Sequence, residues 1–381
     1  MKTRHLALLM VLLGCQALTS CIKDEAKNTE CDIESVWIEG EEYAAHFFQD
    51  TQMRIDNVPS SETQLTFTVR SLRSLPNLPL YFKVTPGATV VPASGSVQNF
   101  ASGPVTYTVT SEDGAWQRQY TVAFKEPVLP AFKFSFEHFE AFQGNNKNSY
   151  HVFYEVDDAG DRQNIWASGN AGVALVNSGK GPETYPTRSV ADGYRGCGVC
   201  LSTQYAGDLG KMMDKPIAAG NLFLGRFIYE NVLLEPLKTT EFGIPFDKDP
   251  VKVSGYYKYK PGEKFTDKKM KEVPGRTDEG NIYAVFYRNV DANGKEVKLY
   301  GDNVLSSPAI VKKAEIGTLP PADQWTPFEI YFEGDTPDPQ VLAAMGYSLT
   351  LVFSSSKSGD TFEGAIGSTL YVDEVEITFN N

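Results

Sequence analysis

Short runs of alternating apolar and polar residues, separated by turn-forming residues, repeat along this chain from Ile33 almost to its end. Val105–Thr110 shows the pattern most clearly, and residues 64–70 repeat it. A period of two predicts strands with one buried face, because successive side chains of a strand point to opposite faces of the sheet. The main helical pattern covers residues 338–345, where Pro339 is tolerated in the first turn. The chain is therefore predicted to be all-β, and a (β/α)₈ barrel, which needs repeated amphipathic helices, is excluded.

Two domains are predicted from the distribution of these runs over 381 residues. Residues 33–126 hold several short runs, including a hairpin turned by Asp113-Gly114, and predict an immunoglobulin-like β-sandwich that lacks the paired cysteines of antibody domains. Residues 126–130 contain two prolines and predict a stiff connector. Residues 131–381 hold more and longer runs, which predict a larger jelly-roll β-sandwich.

The N-terminus has the composition of a secretory signal peptide, predicted to span residues 1–20 and to be removed. Leu18-Thr19-Ser20-Cys21 resembles the bacterial lipobox, in which the cysteine becomes the lipidated first residue, and the segment ending in Cys15 fits as well. Residues 23–25, Lys-Asp-Glu, resemble the acidic export signal of surface lipoproteins in the Bacteroidetes and favour Cys21. Ordinary cleavage without a lipid is the alternative. Residues 21–32 are polar and predict a flexible tether.

The charge balance limits the classes of partner. The chain has 35 Lys and Arg against 48 Asp and Glu, a net charge of −13, which disfavours binding to nucleic acid or anionic lipid. Cys197 and Cys200 have the spacing of a redox or zinc motif, but the sequence offers no second cysteine pair to complete a zinc site. Two small residues on a strand, or one local disulfide, are the simpler interpretations.

Several motifs of the second domain occur in the order seen in a known family: 165–170 (IWASGN), 219–225 (AGNLFLG), 242–246 (FGIPF), 255–262 (GYYKYKPG) and 367–377 (GSTLYVDEVEI). The domain resembles the putative carbohydrate metabolism domain of surface lipoproteins in gut Bacteroidetes, and its end resembles carbohydrate-binding jelly-roll modules. The resemblance covers about residues 131–381 and implies a jelly roll with a carbohydrate-related role, but it implies no particular catalytic residue.

Sugar-binding sandwiches place aromatic rings against the apolar face of a pyranose, and polar side chains satisfy the hydroxyl groups. Trp166, with Asn164 and Asn170 close in sequence, is the first candidate, and core packing of the ring is the alternative. Alternation in the strand at 255–262 places Tyr257 and Tyr259 on one face, with Tyr256 and Lys258 on the other. Tyr257 and Tyr259 are the second candidates, although either face could supply the platform or pack in the core. Trp325 begins a strand and is ranked lower as a structural residue.

The sequence indicates no required cofactor, but it allows a structural calcium ion. Asp373 in the closing strand and Glu137 near the start of the second domain occupy places where many sugar-binding jelly rolls hold calcium. Calcium takes six to eight oxygen ligands, several of which are backbone carbonyls that a sequence does not reveal. The alternative is a solvent-facing charge pair on adjacent strands.

No catalytic constellation stands out in the sequence. A glycoside hydrolase needs two carboxylates across a cleft, and Glu241, Asp247, Glu263 and Glu363 lie in glycine- or proline-containing segments that could converge. The Gly-x-Ser-x-Gly motif, phosphate loops and dinucleotide fingerprints are absent from the sequence.

The leading hypothesis is therefore an outer-membrane lipoprotein exposed at the cell surface, whose immunoglobulin-like domain spaces a glycan-binding jelly roll from the membrane. Its partners would be a polysaccharide or oligosaccharide and outer-membrane glycan-uptake proteins, with no nucleic acid. Two alternatives remain. One is a jelly-roll glycoside hydrolase or lyase, and the other is an adhesive or fimbria-associated structural lipoprotein that assembles by strand addition.

Overall fold

The computed structural model describes residues 26–47, 50–72, 75–126, 132–143, 147–157, 159–175, 179–232 and 234–380. The predicted signal peptide, both lipobox cysteines (Cys15 and Cys21) and the prolines of the connector lie outside these residues. The described chain is almost entirely β-structure, which confirms the predicted class. No helix in the described residues is long and apolar enough to cross a membrane.

The chain divides into two compact units. One comprises Met1–Glu39, Met53–Thr66 and Asn77–Ala123, and the other comprises Gly40–Gln52, Phe67–Pro76 and Phe124–Asn381. The first nine strands lie wholly or mostly in the first unit, and their bounds are β1 (Ile33–Trp37), β2 (Arg54–Asp56), β3 (Gln64–Thr68), β4 (Leu78–Pro79), β5 (Tyr81–Val84), β6 (Thr89–Val91), β7 (Val97–Gln98), β8 (Val105–Thr110) and β9 (Gln117–Lys125).

These strands form sheets ordered β2-β1-β5, β3-β9-β8-β6 and β4-β7. The hairpin of β8 and β9 follows the sequence prediction, with Thr110 opposite Gln117 and Gly114 in the left-handed region at φ 73°. Glycine adopts this conformation without a steric penalty, which is why the turn forms here. Phe82 and Tyr107 pack with ring centroids 4.5 Å apart inside this unit, where alternate residues of the strands are buried.

The second unit holds the remaining strands. Their bounds are β10 (Lys133–Phe134), β11 (Phe139–Gln143), β12 (Ser149–Phe153), β13 (Glu155–Val156), β14 (Arg162–Gln163), β15 (Trp166–Ala167), β16 (Thr187–Val190), β17 (Gly198–Ser202), β18 (Gln204–Tyr205), β19 (Ile217–Ala218), β20 (Asn221–Phe227), β21 (Thr240–Phe242), β22 (Ile244–Pro245), β23 (Asp249–Lys260), β24 (Phe265–Thr266), β25 (Asn281–Arg288), β26 (Ile310–Glu315), β27 (Ala322–Tyr331), β28 (Glu333–Gly334), β29 (Tyr347–Ser354), β30 (Gly364–Ala365) and β31 (Thr369–Asn380).

Two large antiparallel sheets make the sandwich of the second unit. The first has the order β16-β17-β31-β23-β27, with β10 added to β31, and the second has the order β15-β20-β29-β25-β26-β28. One apolar cluster draws residues from both sheets, such as Val253 and Val372 from the first and Leu222 and Leu351 from the second. Inward residues alternate with outward ones along each strand, so each sheet also has an outer face.

Within the described ranges, four short α-helices interrupt the strands: α1 (Glu41–Ala44), α2 (Asn170–Ala174), α3 (Gly207–Met212) and α4 (Pro339–Ala343). The helix at 338–345 was predicted, and the Asp338 side chain caps it by accepting a hydrogen bond from the Gln340 N–H at 2.8 Å. The other three were not predicted, because four to six residues are too few for a helical period to be visible.

Candidate functional site

Trp166, the first predicted sugar-binding residue, lies in the core of the second unit. Its side chain is 5% exposed, and its ring packs against Phe134 and Phe136 with centroids 5.0 and 5.4 Å away. The indole Nε1 donates to Glu155 Oε1 at 2.8 Å. A ring with so little exposed surface cannot stack on a sugar, so this structure favours the core interpretation that the sequence left open.

The two asparagines predicted beside Trp166 do not form a site with it. Asn170 is buried, and its side-chain amide forms two hydrogen bonds with the Thr187 backbone. Its Nδ2 donates to the Thr187 carbonyl at 2.7 Å, and its Oδ1 accepts from the Thr187 N–H at 3.1 Å. Asn164 is exposed and accepts a hydrogen bond from Arg162 Nε at 2.7 Å. Asn170 therefore fixes the backbone of the strand β16, whereas Asn164 lies at the surface.

Glu155 gives a pH-dependent test of this buried pair. Burial raises the pKa of Glu155 from 4.5 to about 7, although the hydrogen bond from Trp166 opposes the shift. A carboxyl whose pKa is higher in the folded state contributes stability that is complete below pH 4.5 and is lost as the pH rises through 7. Glu155→Gln removes the charge and keeps an acceptor for the indole. We expect the variant to be more stable than the wild type by about 2 kcal/mol at pH 8, and equal to it near pH 4.5.

Urea unfolding at a series of pH values measures this difference. Glu140→Gln is the control, because a hydrogen bond from Arg162 lowers the pKa of the exposed Glu140 and predicts the opposite sign. A Glu155→Gln effect that is independent of pH would contradict the assignment.

Tyr257 and Tyr259 also face inward from β23. Their side chains are 4% and 1% exposed, and both belong to the apolar cluster of the sandwich. The Tyr257 hydroxyl donates to the Pro320 carbonyl at 3.2 Å. Alternation therefore directs Tyr256 and Lys258 to the outer face, which is the second of the two arrangements that the sequence allowed.

Asp373 and Glu137 meet at one loop, residues 193–197, which connects β16 to β17. Asp373 Oδ2 accepts from the Arg195 N–H at 2.9 Å, and Glu137 Oε1 accepts from the Cys197 N–H at 2.8 Å. Burial raises the pKa of Asp373 to about 6, although hydrogen bonds from backbone N–H groups, that of Arg195 first among them, oppose the shift. The geometry favours a role in holding the loop.

Calcium at these two carboxylates stays a prediction. The described residues contain no group of three or more His, Cys, Asp or Glu side chains arranged to hold a metal ion. Calcium attracts oxygen atoms, whereas backbone N–H groups point at the carboxylates here. Cys197 and Cys200 are both free thiols in this structure, and Cys200 is buried in β17.

The 193–197 loop presents Tyr194 above the outer face of the first sheet. The Tyr194 ring lies parallel to the Tyr256 ring, with centroids 3.6 Å apart and planes 8° apart. Trp325 meets Tyr194 edge-on with centroids 6.4 Å apart, and Lys258 Nζ lies 4.6 Å from the Trp325 ring and 4.8 Å from the Tyr371 ring. We call Tyr194, Tyr256, Trp325 and Tyr371 the aromatic surface. Tyr194 is 39% exposed, so part of its ring is accessible to a ligand.

The sequence did not single out Tyr194, because it lies in an irregular segment between strands. The sequence around it, residues 193–198 (GYRGCG), does indicate a tightly folded loop, because closely spaced glycines are typical of such loops. Trp325 was ranked low as a structural residue, but its side chain is only partly buried and lies beside Tyr194.

A cleft of about 730 Å³ lies over the outer face of the second sheet. Strand register places Asn221 and Asn281 on either side of Ser354 at its floor, next to Phe223 and Tyr283. Exposed apolar side chains from α3 and neighbouring loops form part of its lining, including Leu209, Met213, Leu237 and Leu305. Concave sites with a few polar groups in an apolar lining are typical of small-ligand sites.

The four acids that could converge by their sequence setting, Glu241, Asp247, Glu263 and Glu363, are not part of the cleft lining. Glu241 pairs with Arg226 at 2.7 Å, and Glu363 pairs with Arg276 at 3.3 Å. The carboxylates that do line the cleft are Asp302 and Asp360, and Asp302 is paired with Lys238 at 2.8 Å.

Residues 135–378 match the family model of the putative carbohydrate metabolism domain, and residues 46–123 match the model of the N-terminal domain of surface glycan-binding proteins (SGBP). No curated protein matches the chain.

Two solved structures are similar to this chain. A putative glycoside hydrolase from Bacteroides thetaiotaomicron VPI-5482 is 37% identical, with a TM-score of 0.65 over 94% of this chain and 99% of that one. A putative glycoside hydrolase from Bacteroides vulgatus ATCC 8482 is 38% identical, with a TM-score of 0.61 over 66% of this chain and 98% of that one. These findings confirm the resemblance stated from the motifs and give the chain a carbohydrate-related role. The chain belongs to the family of the putative carbohydrate metabolism domain.

Proposed function

We propose that this protein is a surface-anchored glycan-binding lipoprotein that assists capture or utilisation of polysaccharide. The observation that carries the proposal is the aromatic surface, where Tyr194 stacks on Tyr256 beside Trp325. A pyranose ring offers an apolar face of C–H bonds to such rings. The loop that carries Tyr194 is held by Asp373 and Glu137 before any ligand arrives, which reduces the entropy lost on binding.

The anchor is part of the same proposal. Lipidation at Cys21 would hold the mature chain at the outer membrane, and the polar residues 22–32 would let the two units extend outward. Export to the cell surface would expose the aromatic surface to extracellular polysaccharide and place it close to outer-membrane uptake proteins.

Affinity gel electrophoresis of the mature chain against a panel of polysaccharides tests the binding function. We expect retention of the wild type on at least one glycan, and at least tenfold weaker binding for Tyr194→Ala and Trp325→Ala, equivalent to about 1.4 kcal/mol each. Trp116→Ala is the matched control, because this Trp is 61% exposed in the β8–β9 turn, far in sequence from the aromatic surface. If the wild type is retained by no glycan, the proposal fails.

A glycoside hydrolase is the second candidate function, favoured by the cleft and its two lining carboxylates, Asp302 and Asp360. Both similar Bacteroides structures are described as putative glycoside hydrolases. Release of reducing sugar from the same panel, lost in Asp360→Asn but retained in Tyr194→Ala, would favour this function and assign it to the cleft.

A further inference from the structure

We infer that the aromatic surface takes an acidic glycan, one that carries uronic acid carboxylates or sulfate esters; this inference rests on the proposed function. It starts from one row of residues on the outer face of the first sheet. Strand register aligns Arg188, Cys200, Tyr371 and Lys258 across four adjacent strands. In this row Lys258 lies next to Tyr371, and Arg188 lies on the far side of Cys200.

Lys258 has aromatic neighbours and forms no ion pair with any residue that the structure describes. Its Nζ lies within 5 Å of two ring centroids, those of Trp325 and Tyr371. In the described part of the chain, no carboxylate oxygen lies within 4.0 Å of Lys258, Arg188 or Lys260. Lys252 on the same strand shows the usual arrangement for this protein, because it pairs with Glu329 at 2.6 Å.

The carboxylates near the aromatic surface are engaged elsewhere. Asp373 accepts hydrogen bonds from the backbone N–H groups of Arg195 and Glu374, and Glu374 lies 3.8 Å from Arg195. A chain with a net charge of −13 thus keeps Lys258 and Arg188 free of acidic partners beside accessible rings. Charges farther away than about 8 Å are largely screened at physiological salt, so the local cations decide the sign of the interaction.

This arrangement suits an anionic sugar. A ring stacked on Tyr194 or Trp325 would bring its carboxylate or sulfate group over the neighbouring cations. Lys258 would act as a compact point charge, and the Arg188 guanidinium, which already donates to the Tyr185 carbonyl and Ser202 Oγ, would retain donors for the anion. A neutral glycan would leave these cations without a partner.

The experiment compares each acidic glycan with its own neutral form. Polygalacturonate is tested against its carboxyl-reduced product, and chondroitin sulfate and desulfated, carboxyl-reduced chondroitin form the second pair. We expect the wild-type chain to bind the acidic member of at least one pair at least tenfold more tightly. Lys258→Met keeps an unbranched side chain between the two rings and should remove most of that preference, whereas Lys252→Met should retain it.

The outcomes separate the two proposals. Equal binding to both members of each pair, or Tyr194-dependent binding confined to neutral glycans, overturns the inference and leaves the proposed function intact. An acidic preference that survives in Lys258→Met also overturns it. Absence of binding to every glycan defeats the proposed function and the inference with it.

Discussion

Trp166→Ala is expected to lower the free energy of unfolding by about 4 kcal/mol, the largest effect of a single substitution considered for this protein. The ring fills the core beside Phe134, Phe136 and Phe353, so truncation leaves a cavity that fixed neighbours cannot close. It also removes the indole N–H group that donates a hydrogen bond to the partly buried carboxylate of Glu155. Both losses act on folding, since neither group belongs to the aromatic surface.

Chemical denaturation of Trp166→Ala measures the loss, and affinity gels run at a temperature where the variant is folded measure glycan binding. We expect binding per folded molecule to equal that of the wild type. The exposed Trp116→Ala should change the free energy of unfolding by less than about 0.5 kcal/mol. If Trp166→Ala folded with wild-type stability and lost binding, the sugar-binding interpretation of this residue would be restored.

Gly193→Ala is expected to weaken glycan binding at least tenfold without removing any aromatic ring. A methyl group at this position would lie 2.6 Å from the Cys197 carbonyl oxygen and 2.8 Å from Asp373 Oδ2. The first contact is with backbone, so the 193–197 loop must shift, and Tyr194 with it. Overpacking of this kind also costs about 2 kcal/mol of stability.

Gly169→Ala is the matched control, because the added methyl group would lie 3.5 Å from Asn221 Nδ2, an ordinary van der Waals contact. Circular dichroism shows whether each variant is folded, and isothermal titration with the best glycan of the panel gives its affinity. Wild-type affinity in a folded Gly193→Ala protein would show that the position of Tyr194 does not matter for binding.

The fold class could be predicted from the sequence because alternation reports directly on which residues share a face. The β8–β9 hairpin shows this well, since its pattern and its Asp113-Gly114 turn both appear where they were expected. The pattern could not say which face of a strand is buried when both faces carry aromatic residues. In β23 the choice between Tyr257 with Tyr259 and Tyr256 with Lys258 is made by the second sheet, which covers the first pair.

The candidate site was harder to predict because its residues come from distant segments. Tyr194 lies in a loop, Tyr256 on β23 and Trp325 on β27, and none of these segments indicates in sequence that the three rings meet. Asp373 and Glu137 were predicted as calcium ligands, which stays a prediction, and in this structure both accept hydrogen bonds from the backbone of the 193–197 loop. Their backbone partners at 195 and 197 have no sequence signature, since every residue except proline offers an N–H.

The way this loop is held has an evolutionary consequence. Asp373 and Glu137 accept hydrogen bonds from main-chain N–H groups, so the loop keeps its shape whatever side chains stand at positions 194 and 195, provided that Gly193 and Gly196 are retained. Those two side chains can be exchanged without a refolding cost. Relatives of this protein could thus acquire preferences for different sugars by changing two solvent-facing residues, while the two carboxylates that support them, the buried Asp373 and the exposed Glu137, stay the same.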